Sequence, residues 1–331
     1  MKTVLLGRTG VRISALGFGT MSFGAAADEA ESAALFDRAR AAGINFFDTA
    51  NMYGGGASER ILGALVATRG CRDEIVLATK AYFPMGDAPT DRGSSRYHLV
   101  RAVEDSLTRL QTDRIDVFFL HRWDDATALD ETLRALEDLV RSGKILYPAV
   151  SNFTAWQTAT ALGVSARNGW APIVATQPMY NLAKRQAEVE ILPHAHAAEL
   201  AVIPYSPLGG GRFTGKYGAG RAAEDGRLVS SAAYRIRYGA DHLGPLADGV
   251  AAIAAREGVH PATLAVAWVA SHPDVTAPLI GARNVAQLEA SLAAADFEMS
   301  AALRDEITAL APPLPSATDR NEESRIADPS L

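Results

Sequence analysis

The sequence predicts an α/β fold: a single-domain (β/α)8 TIM barrel over residues 1–331, with an N-terminal β-hairpin and a long loop after strand 7. Three observations carry this reading. Eight short apolar runs alternate with segments of helical period, which builds a parallel sheet. Several of those segments stop at a glycine, the residue that tolerates the left-handed helix end. No shift in composition divides the eight units into two sheets, which favours one closed barrel, and such barrels run past roughly 200 residues as one domain.

Taken in order, Val4-Leu5-Leu6-Gly7-Arg8-Thr9-Gly10-Val11-Arg12-Ile13 places two glycines between apolar runs, the pattern of a hairpin. The eight expected strands are Ala15–Thr20, Asn45–Ala50, Ile75–Lys80, Ile115–His121, Ile145–Ser151, Ile173–Gln177, Ala201–Tyr205 and Thr276–Gly281. Helices are expected over Asp28–Ala42, Ser58–Arg69 and Ala128–Ser142, ending at Gly43, Gly70 and Gly143. Leu208 to Gly244 has no clear period and is too long for an ordinary connection, so it reads as a functional loop over the barrel mouth. From Pro312 the chain is polar and Pro-containing, and 316–331 are expected to be a flexible tail.

The chain has 331 residues, 48% hydrophobic and 21% charged, with a mean hydropathy of +0.02, the balance of a globular protein with a large core. A net charge of −6 and no Lys/Arg block argue against nucleic acid and anionic lipid as partners. The one cysteine, Cys71, follows Gly70 and reads as an inert thiol in a reducing compartment. Met1-Lys2-Thr3 opens no apolar leader, and no run approaches the roughly 18 apolar residues of a span, so a cytoplasmic, membrane-free protein is expected. No heptad seam or alternating edge sets an oligomeric state.

Active sites of such barrels lie at the C-terminal ends of the strands, where polar residues end the apolar runs. Strand two ends in Asp48-Thr49-Ala50 with Tyr53 three residues on, strand three in Lys80 and strand four in His121. Tyrosine has a pKa of about 10, so a neighbouring cation would help it give up a proton, and a Lys paired with an Asp supplies one. Lys80 is one of only five lysines in the chain. The imidazole of His121 could orient a carbonyl oxygen. Singly, each residue reads as packing, turn or solvated surface; together, on three consecutive strand ends, they read as a site for proton transfer.

These residues give the sequence a resemblance to the aldo-keto reductases. It rests on Asp48-Thr49-Ala50-Asn51-Met52-Tyr53-Gly54, Glu59, Lys80 and His121-Arg122-Trp123-Asp124. Further matches are Gly17-Phe18-Gly19-Thr20-Met21, Gly143-Lys144-Ile145, Ser151-Asn152-Phe153, Gln177 with Tyr180-Asn181-Leu182, and Tyr205-Ser206-Pro207-Leu208. The segment after Leu208 and Gly281-Ala282-Arg283 are more similar to the bacterial reductases and potassium-channel β subunits than to mammalian aldose reductases. The resemblance implies a tetrad of Asp48, Tyr53, Lys80 and His121, with Tyr53 the general acid in carbonyl reduction. It implies that Thr20, Met21 and Asp48 touch the cofactor, and that Ser151, Asn152 and Gln177 hold a nicotinamide carboxamide with Tyr205 stacked on the ring. Ser206, Leu208, Gly210 and Lys216 would clamp the pyrophosphate, with Arg227 a further clamp residue. Gly281, Arg283 and Gln287 would form the adenosine end, and a guanidinium at Arg283 suits a 2′-phosphate, so NADP is expected over NAD. Ala290-Ser291 replaces the family's acidic-amide pair, and Leu146 and Ala149 replace its Arg and Gly in strand five, substitutions attributed to packing.

Phe23, Tyr82, Trp123 and Arg212, from the loops after strands one, three, four and seven, are the candidate substrate walls, and their largely apolar character suggests an aromatic or medium-sized carbonyl. Gly210-Gly211-Arg212-Phe213-Thr214-Gly215-Lys216 resembles a P-loop, but Tyr217 stands where a Mg²⁺-binding hydroxyl is required. His194 and His196 fall on different faces of a helix, and no metal site is expected. Trp268 and His272 read as core. Two other functions stay open: a cofactor-binding redox sensor, against which His121 speaks because the channel subunits carry another residue there, and an unrelated metal-dependent barrel. The same tetrad run in reverse would serve a sugar or polyol dehydrogenase.

Overall fold

The hairpin forms where expected, with β1 (Thr3–Leu5) antiparallel to β2 (Arg12–Ser14), in a computed structural model that describes residues 1–221, 223 and 225–318. Its turn packs against the bottom of the barrel, where a Cβ on Gly7 would come within 2.9 Å of the Val174 carbonyl oxygen. Leu6 and Ile13 are fully buried and close the N-terminal end of the barrel interior.

Eight parallel strands follow: β3 (Gly17–Gly19), β4 (Phe46–Asp48), β5 (Val76–Ala81), β6 (Ile115–Leu120), β7 (Ile145–Ser151), β8 (Ala175–Gln177), β9 (Ala201–Val202) and β10 (Leu279–Ile280). They are paired in chain order, with β10 beside β3. The ring is completed between β9 and β10 by backbone bonds from Thr276 and Ala277 to Val202 and from Leu279 to Pro204, at 2.8, 3.2 and 2.9 Å. All eight expected strands are present, several shorter at their ends.

Six helices cover the first six strands: α1 (Glu29–Ala41), α2 (Ala57–Arg69), α3 (Arg96–Leu110), α4 (Leu129–Arg141), α5 (Ala155–Asn168) and α6 (Ile191–Ala197). Their ends follow the local chemistry. Asp28 accepts from the Glu31 N–H at the start of α1, Thr154 and Gln157 cap α5 reciprocally, and Gly43, Gly70 and Gly143 take positive φ where helices stop. Between β9 and the next long helix the crossing segment contains two short helices, α7 (Arg227–Ser230) and α8 (Ala232–Tyr238). Helices of four and seven residues are too short to print a 3.6-residue period, which is why the sequence reads there as a loop. The chain ends with α9 (Leu243–Arg256), α10 (Pro261–Ala270), α11 (Val285–Leu292) and α12 (Ala301–Ala309). Of the expected tail, residues 319–331 lie outside the described residues. Among the described residues no helix is long and apolar enough to cross a membrane.

The interior obeys the period of two that a strand imposes. Phe46, Ala78, Val117, Phe119, Ala149, Ala175, Ala201, Ile203 and Ala277 form its apolar filling, while Phe47, Leu77 and Phe118 face the helices. Ala149 therefore belongs to a layer of small residues around Phe46 and Phe119, as packing would have it. Leu146 does not fit the packing explanation: it is 40% exposed on the outside of β7.

Candidate active site

Two residues beyond the apolar interior layer, the same inward face reaches the top of the barrel. Phe46 is followed by Asp48, Ala78 by Lys80, Phe119 by His121, Ala149 by Ser151, Ala175 by Gln177 and Ile203 by Tyr205. Strand parity alone thus gathers six of the expected site residues into one polar ring at the C-terminal mouth. Tyr53 joins them from a 3-10 turn, Tyr53–Gly56, in which Gly54, Gly55 and Gly56 all take positive φ before α2 begins. That run of left-handed residues lets the chain reverse tightly after β4 and brings the ring back over the mouth.

At the floor, the fully buried Lys80 Nζ donates to Asp48 Oδ2 at 2.5 Å and to the Thr49 carbonyl at 2.7 Å. Gln177 Nε2 donates to the other Asp48 oxygen at 3.0 Å. Burial pushes Lys80 below and Asp48 above its ordinary range, and their mutual attraction opposes both shifts. The Lys80 ammonium lies 5.3 Å from the centroid of the Tyr53 ring, and His121 meets that ring edge-on at 5.9 Å. Burial, with the Asp48 carboxylate second, raises Tyr53 well above 10, so its hydroxyl is protonated at neutral pH. The cation expected to ease proton loss is already committed to Asp48. His121 is lowered to about 3 by burial and by Lys80, which makes it a neutral imidazole, and its buried Nδ1 has no partner.

Behind this floor stands Glu59, buried at the start of α2, accepting from Thr79 Oγ1 and from Arg109 Nε, both at 2.6 Å. It ties the helix that follows Tyr53 to the strand that carries Lys80. Thr20 is buried beside it, its hydroxyl 2.8 Å from Ser58 Oγ and 3.2 Å from the Asp48 carbonyl.

Along one side of the mouth Ser151 Oγ donates to the Gln177 carbonyl, Asn152 Nδ2 to the His121 carbonyl, and Tyr205 Oη to Asn152 Oδ1 at 2.7 Å. Asn152 and Ser206 hold φ at +57° and +59°, left-handed values uncommon for residues with a Cβ and concentrated at functional sites. Asn181 donates to the Ser206 carbonyl at 2.8 Å and so supports one of them. Farther out, Lys216 Nζ lies 3.7 Å from Asp225 Oδ1 and Arg283 Nη2 donates to Asp225 Oδ2 at 2.8 Å. Gln287 accepts from the Arg283 N–H, and a Cβ on Gly281 would come within 2.9 Å of the Gly19 carbonyl. A glycine that lets two backbones approach, strained polar residues beside a tyrosine, and two cations converging on a carboxylate form a donor set that fits an anionic dinucleotide. Met21 and Leu208 are partly buried along the same rim.

The expected substrate walls divide. Tyr82 is partly exposed and meets Phe83 edge-on at 5.3 Å, and Phe83 meets His121 at 5.0 Å. Trp123 packs edge-on against Phe153 and Trp156 at 5.2 and 5.5 Å. Phe23 is a correction: it is fully buried against Phe18, 5.8 Å between centroids, and belongs to the core between barrel and helices. Arg212 is buried, donates to the Ala240 carbonyl and lies over the Tyr217 ring, contacts made within the crossing segment. The sequence reading missed Phe83, Trp156, Asp225, Tyr234 and Arg237. Tyr234 and Arg237 sit in α8, where no period marked a helix; Trp156 lies beyond the strand end, at the start of α5. The histidines of α6 join no group of metal-binding side chains among the described residues.

Residues 15–312 match the model of the aldo/keto reductase family. The chain is 39% identical to an uncharacterized oxidoreductase, YrpG, of Bacillus subtilis over 90% of its own length and 92% of that protein's. It is 36% identical to a probable voltage-gated potassium channel subunit beta of Oryza sativa subsp. japonica, covering 88% of this chain and 90% of the relative. Norsolorinic acid reductase stcV of Emericella nidulans is 34% identical over 90% of this chain and 78% of its own. With a barrel whose inward strand ends carry Asp48, Lys80 and His121 beneath Tyr53, and a family match over nearly its whole length, the chain belongs to the aldo/keto reductase family of oxidoreductases.

Proposed function

We propose that the protein is an NADPH-dependent reductase of aldehyde or ketone carbonyls, with an aromatic compound as the substrate class. The observation that carries this reading is the stack of a protonated Tyr53 over a buried Lys80–Asp48 pair, with a neutral His121 at its edge. When bound, a reduced nicotinamide supplies the hydride to the carbonyl carbon. Tyr53 gives its hydroxyl proton to the carbonyl oxygen as charge develops there, and the Lys80 ammonium, 5.3 Å from the ring, stabilises the phenolate left behind until solvent returns the proton. His121, uncharged, orients the carbonyl oxygen without competing as an acid. Ser151, Asn152 and Gln177 would hold the carboxamide, with Tyr205, fixed through its hydroxyl on Asn152, beside the ring. Arg283 and Lys216 would receive the cofactor phosphates in place of Asp225, and a guanidinium there would favour NADPH over NADH.

The experiment is fluorescence quenching on titration with NADPH and NADH, then loss of reduced-cofactor absorbance after addition of 4-nitrobenzaldehyde. Tyr53→Phe is expected to lower kcat/KM about 10³-fold, the scale of a lost general acid, while quenching persists. Arg283→Gln is expected to raise the NADPH concentration for half-quenching about tenfold, as for a lost hydrogen bond to a charged group, with little change for NADH. Unchanged turnover in Tyr53→Phe would refute the mechanism. The channel-subunit relatives favour a second reading, a cofactor-binding module, for which quenching without turnover is the expected result.

A further inference from the structure

We propose that Asp124 is a positioning residue for the substrate pocket: it clamps the loop after β5 so that Phe83 stays against His121, and thereby sets how tightly a carbonyl compound binds. This rests on the reductase reading and adds a specificity-determining residue to it.

β5 ends at Ala81 and α3 begins at Arg96, and the chain between them, residues 82–95, forms neither helix nor strand. Its first two residues are the ones nearest the chemistry. Tyr82 meets Phe83, and Phe83 meets His121 edge-on with 5.0 Å between centroids, on the imidazole that also meets Tyr53. A loop without a fixed anchor spreads over many conformations, and each would place Phe83 differently on that imidazole. Two backbone bonds fold the loop onto itself, from the Gly93 N–H to the Tyr82 carbonyl at 2.7 Å and from the Met85 N–H to the Asp91 carbonyl at 3.1 Å. The place of Tyr82 and Phe83 therefore depends on what holds Gly93 and Ser94.

Asp124 holds them. Three residues beyond His121, its Oδ2 accepts from the Ser94 N–H and from Thr127 Oγ1, both at 2.7 Å, and its Oδ1 accepts from the Ala126 N–H at 3.0 Å. Thr132 of α4 adds a bond of 2.9 Å to the carbonyl of the buried Ser94. Gly93 takes a φ of +89°, and a Cβ there would come within 2.9 Å of Asp124 Oδ2, so the loop passes directly over the carboxylate. Burial raises the Asp124 carboxyl, but the bonds from Thr127, Ser94 and Ala126 outweigh it and hold the group below the usual carboxylate range. The clamp is therefore charged at neutral pH. The loop's other tie, the ion pair of Asp91 with Arg101 on α3, lies nearer the tip with Arg101 exposed, where such pairs contribute little. One strand end thus supplies both the imidazole and, a few residues on, the carboxylate that keeps a ring against it.

The test is a double-mutant cycle on the KM for 4-nitrobenzaldehyde, with NADPH quenching followed in every variant. Asp124→Ala is expected to raise KM about tenfold, the scale of a lost hydrogen bond to a charged group, while kcat and the NADPH concentration for half-quenching stay as in the wild type. Asp124→Asn, which keeps one oxygen for the Ser94 N–H, should give an intermediate KM. In a Phe83→Ala background Asp124→Ala should raise KM by less than about twofold, because the ring that it positions is gone. Thr127→Val cuts the same carboxylate more gently; it should raise KM about threefold with Phe83 present and leave it unchanged in Phe83→Ala, a comparison that stands even if Asp124→Ala does not fold. Arg101→Gln, which frees only the tip, should leave KM unchanged. An equal rise of KM in both Phe83 backgrounds overturns the proposal, by making Asp124 a general support of the fold, and leaves the reductase reading intact. A rise in Arg101→Gln as large as in Asp124→Ala overturns it in the same way. No turnover by the wild type with either cofactor would remove the reductase reading and this role with it.

Discussion

At the floor of the mouth Asp48, Lys80, Gln177 and Ser151 are buried and committed to one another, whereas the segment crossing above carries Arg227 and Arg237 beside the Tyr234 ring, neither with a carboxylate partner among the described residues. The floor is built on strands, whose pleat fixes every side chain to within its own rotamer. The roof is built on two short helices joined to the barrel by turns. Groups that must hold one geometry through proton transfer belong on the first kind of support, and groups that adapt to different substrates belong on the second. Under the proposed function, the groups that move the proton thus sit on the more rigid of the two supports.

Lys80→Met strikes the floor hardest. It leaves the Asp48 carboxylate buried without its cation, and about 3–5 kcal/mol of stability should be lost in urea unfolding along with turnover. Recovery of most of that loss in Lys80→Met combined with Asp48→Leu would show that the penalty comes from the stranded charge; no recovery would show that the pair itself was the main source of stability.

Glu59→Gln tests whether the floor extends behind Lys80. Arg109 and Thr79 would lose a charged acceptor, and a drop of about 2 kcal/mol is expected, the scale of a hydrogen bond to a charged group. A thermal midpoint equal to the wild type would confine the rigid region to the tetrad.

Acid acts on the floor through His121. Its pKa is about 3 in the folded chain against an ordinary value of about 6.5, so the unfolded chain takes up a proton that the folded one refuses. Stability from this group is complete above pH 6.5 and is lost as the pH falls toward 3. The urea midpoint should fall less between pH 7 and pH 4.5 in His121→Asn than in the wild type. Some dependence remains, because burial also lowers His98 and His272.

The smallest effect belongs to the roof. Asp225 is exposed within the crossing segment, so Asp225→Asn should leave the thermal midpoint unchanged while lowering, a few-fold, the NADPH concentration needed for half-quenching. A clear loss of stability would mean that the crossing segment is as firmly built as the floor.

The barrel was legible because eight apolar runs and the glycines at 43, 70 and 143 are local signals, readable within a few residues. The tetrad was legible because parity carries each inward strand to a polar end. Phe23 was misplaced since an aromatic just past a strand looks the same whether it turns to the mouth or to the core, and here contact with Phe18 decides. Leu146 was misread for the related reason that the exposure of a single apolar residue is not written in its neighbours.

By itself the sequence determined the eight units, the ring of polar strand ends and the family, because periodicity, helix stops and strand parity are properties of neighbours along the chain. Only the tertiary structure decided that Glu59 backs Lys80 across α2 and β5, that Asp225 joins its neighbour Lys216 to Arg283, 58 residues beyond Asp225, and that the Tyr234 ring lies over Gly210 with two arginines near it. Those contacts arise when barrel closure brings distant segments to one mouth, and no local pattern encodes which side chains meet there.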